Sequence, residues 1–460
     1  MAQSVVIRPE WTVLEQFQCA ALAKLSHPQP SAEKGTVSDL AFCGSLEHYD
    51  RAYDRLTPRT ERPLRPTRRP FVAAATASDD ARLRALAAAA AASPPPGVRG
   101  TAFVTDSLLS VLMTAPRAVR GWDLVFTKRG NTLFVDKRRG SRADAPTVAE
   151  SFADAPPGDD PSLGIDAAAS LSDEAAAAQR DLSQQVLLDA SAASAASATA
   201  APPPKPHACG DPPIEAAAEA STSGASPSSQ QPRAGTAYRY RKFTLGSGAS
   251  TYDVVVRCDV DAVLVDRGEV RFVFSPLFRR SRPGSRKGVE TEKKLKKLDT
   301  HEKNFSHQTK LVAVRALTEY DPKLTGVDWR AKLEAQRGAV LATELKNNAP
   351  KLARWAASAL VSGVDLVKLG FVSRSHPRDA SQHSVLGAHT VKPRELAANI
   401  ALSPESCWGI AHAVIDLAMR LPADGKYLLV REAGKPVVRL YGVPADAFDE
   451  DEDEEDEDGA

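Results

Sequence analysis

The feature that most constrains this chain is a collapse of its composition: from about Arg138 to Gly235 the sequence reduces to Ala, Ser, Pro and Asp. Such a stretch lacks the apolar periodicity needed to bury a core, so it separates the foldable sequence into two parts. The exception inside it is Ser172–Leu188, where Asp173 and Glu174 precede Leu182, Val186 and Leu187 at helical spacing and predict a helix between flexible linkers. Two more segments are biased. Pro276–Lys310 holds eleven Lys and Arg against four Asp and Glu, and Asp449–Asp458 is a run of ten carboxylates. The resulting division is 1–137, a low-complexity segment 138–235 with its helix 172–188, a second ordered part 236–445 carrying the basic insertion 276–310, and an acidic tail 446–460. For 460 residues, this suits one elaborated domain or two.

The formal net charge of +1 conceals a basic body, because removing the ten tail carboxylates leaves about +11 on the rest. A basic body with an acidic tail suits contact with polyanions, the tail competing for the same surface or serving only to keep the chain soluble. With 43% hydrophobic and 25% charged residues, fibrous and wholly disordered classes are excluded. No apolar run is long enough to cross a bilayer, and Met1–Trp11 lacks the basic start and apolar centre of a signal peptide. The five cysteines are scattered without paired spacing, which implies neither a disulfide framework nor a zinc site and fits a reducing compartment.

The local patterns predict a mixed α/β fold with largely antiparallel sheets flanked by helices. Asp79–Ala92 reads as a helix, and Thr105 and Asp106 supply N-cap chemistry for a second that runs to Pro116. Trp122–Thr127 and Thr132–Asp136 flank Arg129-Gly130-Asn131 as a hairpin. A second hairpin is expected about Asp266-Arg267-Gly268, after the β-branched run Tyr252–Val265. Val327–Lys346 reads as helix into strand, and Pro350–Ser362 as an amphipathic helix. Phe371–Ser373, Ser384–Gly387, Tyr427–Val430 and Val437–Val443 read as short strands, with a helix Trp408–Leu421 before the last pair.

Two constellations could carry chemistry. On strands, residues two apart share a face, so Asp259 with Asp261 and Glu344 with Lys346 would project as pairs. Side by side they would hold a divalent cation while the lysine orients water for phosphodiester hydrolysis, although ordinary surface ion pairs explain the same pattern. The second group is Arg117, Arg120, Trp122, Lys128, Arg129, Lys137, Arg138 and Arg139, basic residues about an aromatic ring that suit nucleic acid, with a core role for Trp122 equally open. Alternation in Tyr238-Arg239-Tyr240-Arg241-Lys242 favours rings inward and charges outward. The chain has no phosphate loop, dinucleotide fingerprint or HExxH, and no nucleophile triad can be assembled.

The string Cys43-Gly44-Ser45-Leu46-Glu47-His48-Tyr49-Asp50-Arg51-Ala52-Tyr53-Asp54-Arg55, followed by GWDLVF, GNTLFVDKR, AYRYRKF, VVVRCDVDAV, GVDWRAKLEAQRGAVLATELKNN and WGIAHAVIDLAM, resembles the d subunit of eukaryotic translation initiation factor three. The resemblance implies a cytoplasmic component of that multisubunit complex on the small ribosomal subunit, away from any membrane. It also implies a cap-binding domain for the 5′ 7-methylguanosine of selected messages, similar in fold to decapping and 5′-end quality-control nucleases, and no cofactor. In those nucleases Glu-x-Asp and Glu-x-Lys strands hold the metal. Here Asp259-Val260-Asp261 and Glu344-Leu345-Lys346 match, with Asp259 in place of Glu, as a vestigial cluster in a binder that is not an enzyme and holds no metal.

By the same resemblance the cap-binding positions are Asp106, Val119 and Arg120 near the first helix and Ala176, Gln179 and Arg180 on the second. Ala176 replaces a polar residue of the family pattern and Arg180 a histidine. A segment termed the RNA gate corresponds to Arg142–Pro156, with Arg142, Asp144, Thr147, Val148, Glu150, Ser151, Asp154 and Pro156, anchored by Thr147-Val148-x-Glu150. The family's long N-terminal extension is expected to be absent or reduced before Trp11. The basic insertion is expected to interrupt the family pattern between Val270-Arg271-Phe272 and Val312–Tyr320, as a real arm or as intron sequence read as protein.

Overall fold

Apolar residues on both sides of Arg129-Gly130-Asn131 pair as the hairpin the sequence predicts, with Gly130 at φ +57° supplying the left-handed turn position. The structure is a computed structural model and describes residues 4–67, 76–150, 161–188, 207–209, 237–265 and 309–448. The hairpin expected at Asp266-Arg267-Gly268, the basic insertion up to residue 308 and the acidic run from Asp449 lie outside the described residues.

In chain order the first half gives β1 (Thr12–Gln18), α1 (Cys19–Leu22), β2 (Val37–Leu46), β3 (Arg62–Pro63), α2 (Ala81–Ala92), β4 (Gly100–Thr105), α3 (Asp106–Met113), β5 (Trp122–Arg129), β6 (Thr132–Asp136), α4 (Ala168–Gln185) and β7 (His207–Ala208). The second gives β8 (Ala237–Leu245), β9 (Tyr252–Val260), β10 (Ala262–Val265), β11 (Thr309–Glu319), α5 (Pro322–Thr325), α6 (Trp329–Lys332), α7 (Arg337–Asn347), α8 (Ala349–Ser362), β12 (Leu366–His376), β13 (Asp379–Val391), α9 (Pro393–Asn399), α10 (Pro404–Arg420), β14 (Gly425–Arg431) and β15 (Val437–Gly442).

The strands form a ten-stranded sheet in the order β1-β15-β14-β5-β6-β4-β9-β8-β2-β7 and a five-stranded sheet in the order β10-β11-β12-β13-β3. Pairing is antiparallel except where β4 joins β6 and β9 and where β11 joins β12. Strands from both halves of the chain interleave, so the low-complexity stretch is spanned by one continuous sheet. The main core joins the large sheet to α3, α8 and α10 through Leu109, Leu112, Leu124, Val254, Ala356 and Ile410.

Two sequence readings need correction, and a third, left open for Trp122, is decided. Thr343–Lys346 is helix, not strand: Val340 and Glu344 turn inward one turn apart in α7, and Leu341-Ala342-Thr343-Glu344-Leu345-Lys346 is rich in strong helix formers. The short strands expected at Phe371–Ser373 and Ser384–Gly387 belong to one long hairpin of β12 and β13, bulged between Phe371 and Val372. Trp122 is a core residue.

Candidate functional site

Asp106 opens α3, with Thr105 Oγ1 accepting the Leu108 amide at 3.4 Å as the N-cap. The helix start would normally leave this carboxylate in water, but α8 packs across it. Asp106 is only 3% exposed and its Oδ2 accepts from Ser358 Oγ at 2.6 Å. Burial, with the Asp259 carboxylate adding to it, pushes the Asp106 pKa up to about 7. Asp259, near the end of β9, is also held above the usual carboxylate range, by burial first and by Asp261, against the lowering pull of Arg257. Its Oδ1 is turned inward, 3.7 Å from Arg257 Nε, while the side chain as a whole stays half-exposed.

Arginines balance these acids. Arg257 is buried and donates to Asp80 Oδ2 at 3.1 Å, which also accepts from Tyr240 Oη at 2.9 Å. Asp261 lies in the link between β9 and β10, and its Oδ2 accepts from the Val314 amide and from Arg315 NH1, both at 2.7 Å. Arg315 on β11 therefore takes the place expected for a lysine. Glu344 and Lys346 do not join Asp259 and Asp261: on α7 Glu344 points inward and Lys346 outward, since positions two apart on a helix face opposite sides. Among the described residues, no group of three or more His, Cys, Asp and Glu side chains is placed to hold a metal ion. The arrangement is an arginine-balanced acid cluster.

Residues 142–150 run beside this cluster. Thr147 Oγ1 donates to Glu150 Oε2, and Glu150 Oε1 accepts the amides of Val119 and Arg120 at 3.2 and 3.4 Å. Glu150 is 2% exposed. Val148 packs with Leu171, Ala175 and Tyr320, while Arg354 of α8 donates to Ala143 O at 3.0 Å and reaches Thr147 Oγ1 at 3.5 Å. Arg142 pairs with Asp173, and Asp144 with Lys137. Ser151, Asp154 and Pro156 lie outside the described residues.

On α4, Gln179 works as a piece of strand. β10 covers only the first part of the β11 edge, and beyond it Gln179 Nε2 donates to Val314 O at 2.9 Å while its Oε1 accepts the Ala316 amide at 2.7 Å. Ala176 is partly buried, and exposed Arg180 lies 3.7 Å from Asp181. The helix begins four residues before the expected Ser172 and ends at Gln185, so Asp173 and Glu174 fall in its second turn. Glu174 has a use the sequence did not disclose: it holds Arg374 through both carboxylate oxygens at 2.8 and 2.6 Å and meets His383 Nε2 at 2.7 Å.

The basic group about the first hairpin is not a free cationic face. Arg117 donates to Ile400 O, Lys128 pairs with Asp424, and Arg138 pairs with buried Asp123. Arg239 and Arg241, expected to face outward, share Asp39 and cover the carbonyls of Val361, Ser362 and Gly363 at the end of α8. Much of the basic charge therefore serves the fold.

Fold and site together define a two-sheet α/β protein with an arginine-balanced acid cluster beside a carboxylate-anchored segment. A family model described as "Eukaryotic translation initiation factor 3 subunit 7 (eIF-3)" matches residues 1–277 and 289–442, and the chain belongs to that family. The match omits 278–288, inside the basic stretch. Curated relatives, each named as the D subunit of eukaryotic translation initiation factor 3, include one from Arabidopsis thaliana, 37% identical over 97% of this chain and 62% of its own length. Others are from Aedes aegypti (35%, over 97% and 60%) and Pongo abelii (36%, over 97% and 68%). The chain thus spans less than two thirds of the Arabidopsis and Aedes relatives. Among solved structures it is similar to Scheffersomyces stipitis Rai1 in complex with (3'-NADP)+ and calcium ion, at 11% identity, 95% coverage of both chains and a TM-score of 0.49. Candida albicans Rai1 gives 8% identity, 96% and 95% coverage and a TM-score of 0.47.

Proposed function

We propose that this chain acts in translation initiation as the component of initiation factor 3 that holds the 5′ 7-methylguanosine cap of messenger RNA on the small ribosomal subunit, and that it binds the cap without cutting it. Membership of the family supports the translational role and a place among the other subunits of the complex. The observation that carries the RNA part is the seating of Glu150 on the Val119 and Arg120 amides. Backbone N–H groups that donate to a carboxylate can donate to a phosphate oxygen, so Glu150 stands in for the ligand and residues 142–150, the described part of the Arg142–Pro156 segment, act as the gate that must move before RNA enters. Arg120 and exposed Arg180 are the phosphate partners. Gln179 acts by holding the β11 edge in place.

Binding without hydrolysis is supported by the acid cluster, where Asp261 is committed to Arg315 and the Val314 amide and Asp106 to Ser358. Cap analogue should compete with capped RNA, and Asp106→Ala with Arg120→Ala should weaken capped RNA more than uncapped RNA; equal loss on both would reject the pocket. One observation favours a second reading, a metal-dependent decapping nuclease: the Asp259 carboxylate lies close enough to Asp106 to raise its proton affinity. Incubating labelled capped RNA with magnesium or manganese separates the two. Intact RNA supports the binder, and release of cap that disappears in Asp259→Ala would replace it.

A further inference from the structure

At the junction of α7 and α8, three neighbouring side chains turn inward and are left partly unsatisfied. Glu344 lies near the end of α7, Asn348 links the helices and Lys351 opens α8; they are 1%, 3% and 1% exposed. The chain bends at Asn348 (φ −131°, ψ 28°), bracketed by the bonds Asn348 N to Glu344 O (2.9 Å) and Leu352 N to Asn348 O (3.0 Å), and all three side chains are turned to the interior on either side of that bend. Asn348 Nδ2 donates to Glu344 Oε2 at 2.8 Å, setting amide and carboxylate side by side. Glu344 Oε1, Asn348 Oδ1 and Lys351 Nζ have no hydrogen-bond partner among the described residues. Lys351 Nζ has the Trp355 ring 5.2 Å away and the Glu344 charge nearby, but no hydrogen bond; buried polar atoms in native proteins are almost always hydrogen-bonded, so three that are not mark a site with an occupant to receive.

The orphans fix what that occupant must present: one acceptor for the ammonium and two donors for the oxygens. Guanine presents that order along its Watson–Crick edge, with O6 accepting and N1–H and N2–H donating. Adenine has an acceptor at N1, uracil accepts at both ends, and cytosine donates at one end only. Methylation at N7 leaves this edge untouched. We propose that Glu344, Asn348 and Lys351 read the guanine edge of the cap, with Lys351 Nζ donating to O6, Glu344 Oε1 accepting N1–H and Asn348 Oδ1 accepting N2–H. This rests on the cap-binding reading and deepens it by naming the groups that select the base. The site adjoins the segment proposed as the gate: Arg354, three residues after Lys351 on α8, holds Ala143 and Thr147, and the Glu150 carboxylate is near enough to act on Lys351, so displacement of that segment is the entry route this proposal takes. A single buried water, able to donate twice and accept once, is the rival occupant.

Binding of 7-methylguanosine triphosphate and 7-methylinosine triphosphate to the full chain, followed by fluorescence quenching, tests the proposal. The inosine compound lacks only the N2 amine and leaves Asn348 Oδ1 unpaired, so it should bind about tenfold or more weakly. In Asn348→Ala that preference should vanish, and Lys351→Met should weaken both ligands. Equal affinity of the two compounds for the unaltered chain would mean that water alone fills the site; the proposal would fall while cap binding stood. Binding of neither compound would remove both. The analogue comparison needs no substitution, so a variant that fails to fold does not spoil it.

Discussion

Asp106 shows how one buried carboxylate ties stability to acidity. Its pKa rises from an ordinary 3.8 to about 7 in the folded chain, so between these values the folded state keeps a proton that the unfolded state loses. Stability therefore falls as pH rises through that window, by up to about 4 kcal/mol, and the loss is complete above it. Asp106→Asn cannot ionise and should flatten this part of the profile; urea unfolding at pH 5 and pH 8 checks it, and parallel curves for the two proteins would refute it. Asp80 makes a second case, since it caps α2 through the Leu83 amide and neutralises buried Arg257. Removing it in Asp80→Ala leaves the guanidinium without that buried carboxylate and should cost about 3–5 kcal/mol, read as a large drop in melting temperature. The N-cap of α3 was legible because Thr105 and Asp106 directly precede an apolar helical run. Arg315 was not, because a search for Glu-x-Lys spacing finds residues 344–346, whereas the partner of Asp261 lies on a strand far along the chain.

Elements were most legible where one period dominated. The β5–β6 hairpin and α3 follow their patterns, whereas α7 was misread because Thr-Glu-Leu-Lys alternates like a strand and only the inward turn of Val340 and Glu344 reveals its helical phase. The docking of α4 was hidden for a different reason, because it depends on a side-chain amide replacing a missing strand neighbour. Gln179→Ala strips both hydrogen bonds from the β11 edge and should destabilise the α4 contact by about 1–3 kcal/mol. Hydrogen exchange at the Ala316 amide should then accelerate while that of the large sheet stays unchanged. The segment proposed as the gate has a sharper signature: Glu150→Ala frees the Val119 and Arg120 amides, which should exchange about tenfold faster, and on the proposed function capped RNA should bind faster without the competing carboxylate. Unchanged exchange at both amides would mean that the segment is held elsewhere.

At the scale of the whole molecule, the sequence conveyed a mixed α/β class and an interruption of the folded part, but not that strands on both sides of the interruption alternate within one sheet. Strand order depends on which edges meet, and no local pattern carries that information. The same long-range assembly brings α8 under three features at once: Ser358 holds Asp106, Arg354 holds Ala143 and Thr147, and Lys351 lies near Glu344. The central claim is that a capped 5′ end enters beneath residues 143–150 and leaves uncut. The most direct measurement is a photoreactive 7-methylguanosine cap on labelled RNA, crosslinked to the full chain and mapped by peptide mass. Label on peptides covering 106–120 and 344–355, with the RNA intact, is the expected result; label confined to a remote face, or a cap released from its RNA, would contradict it.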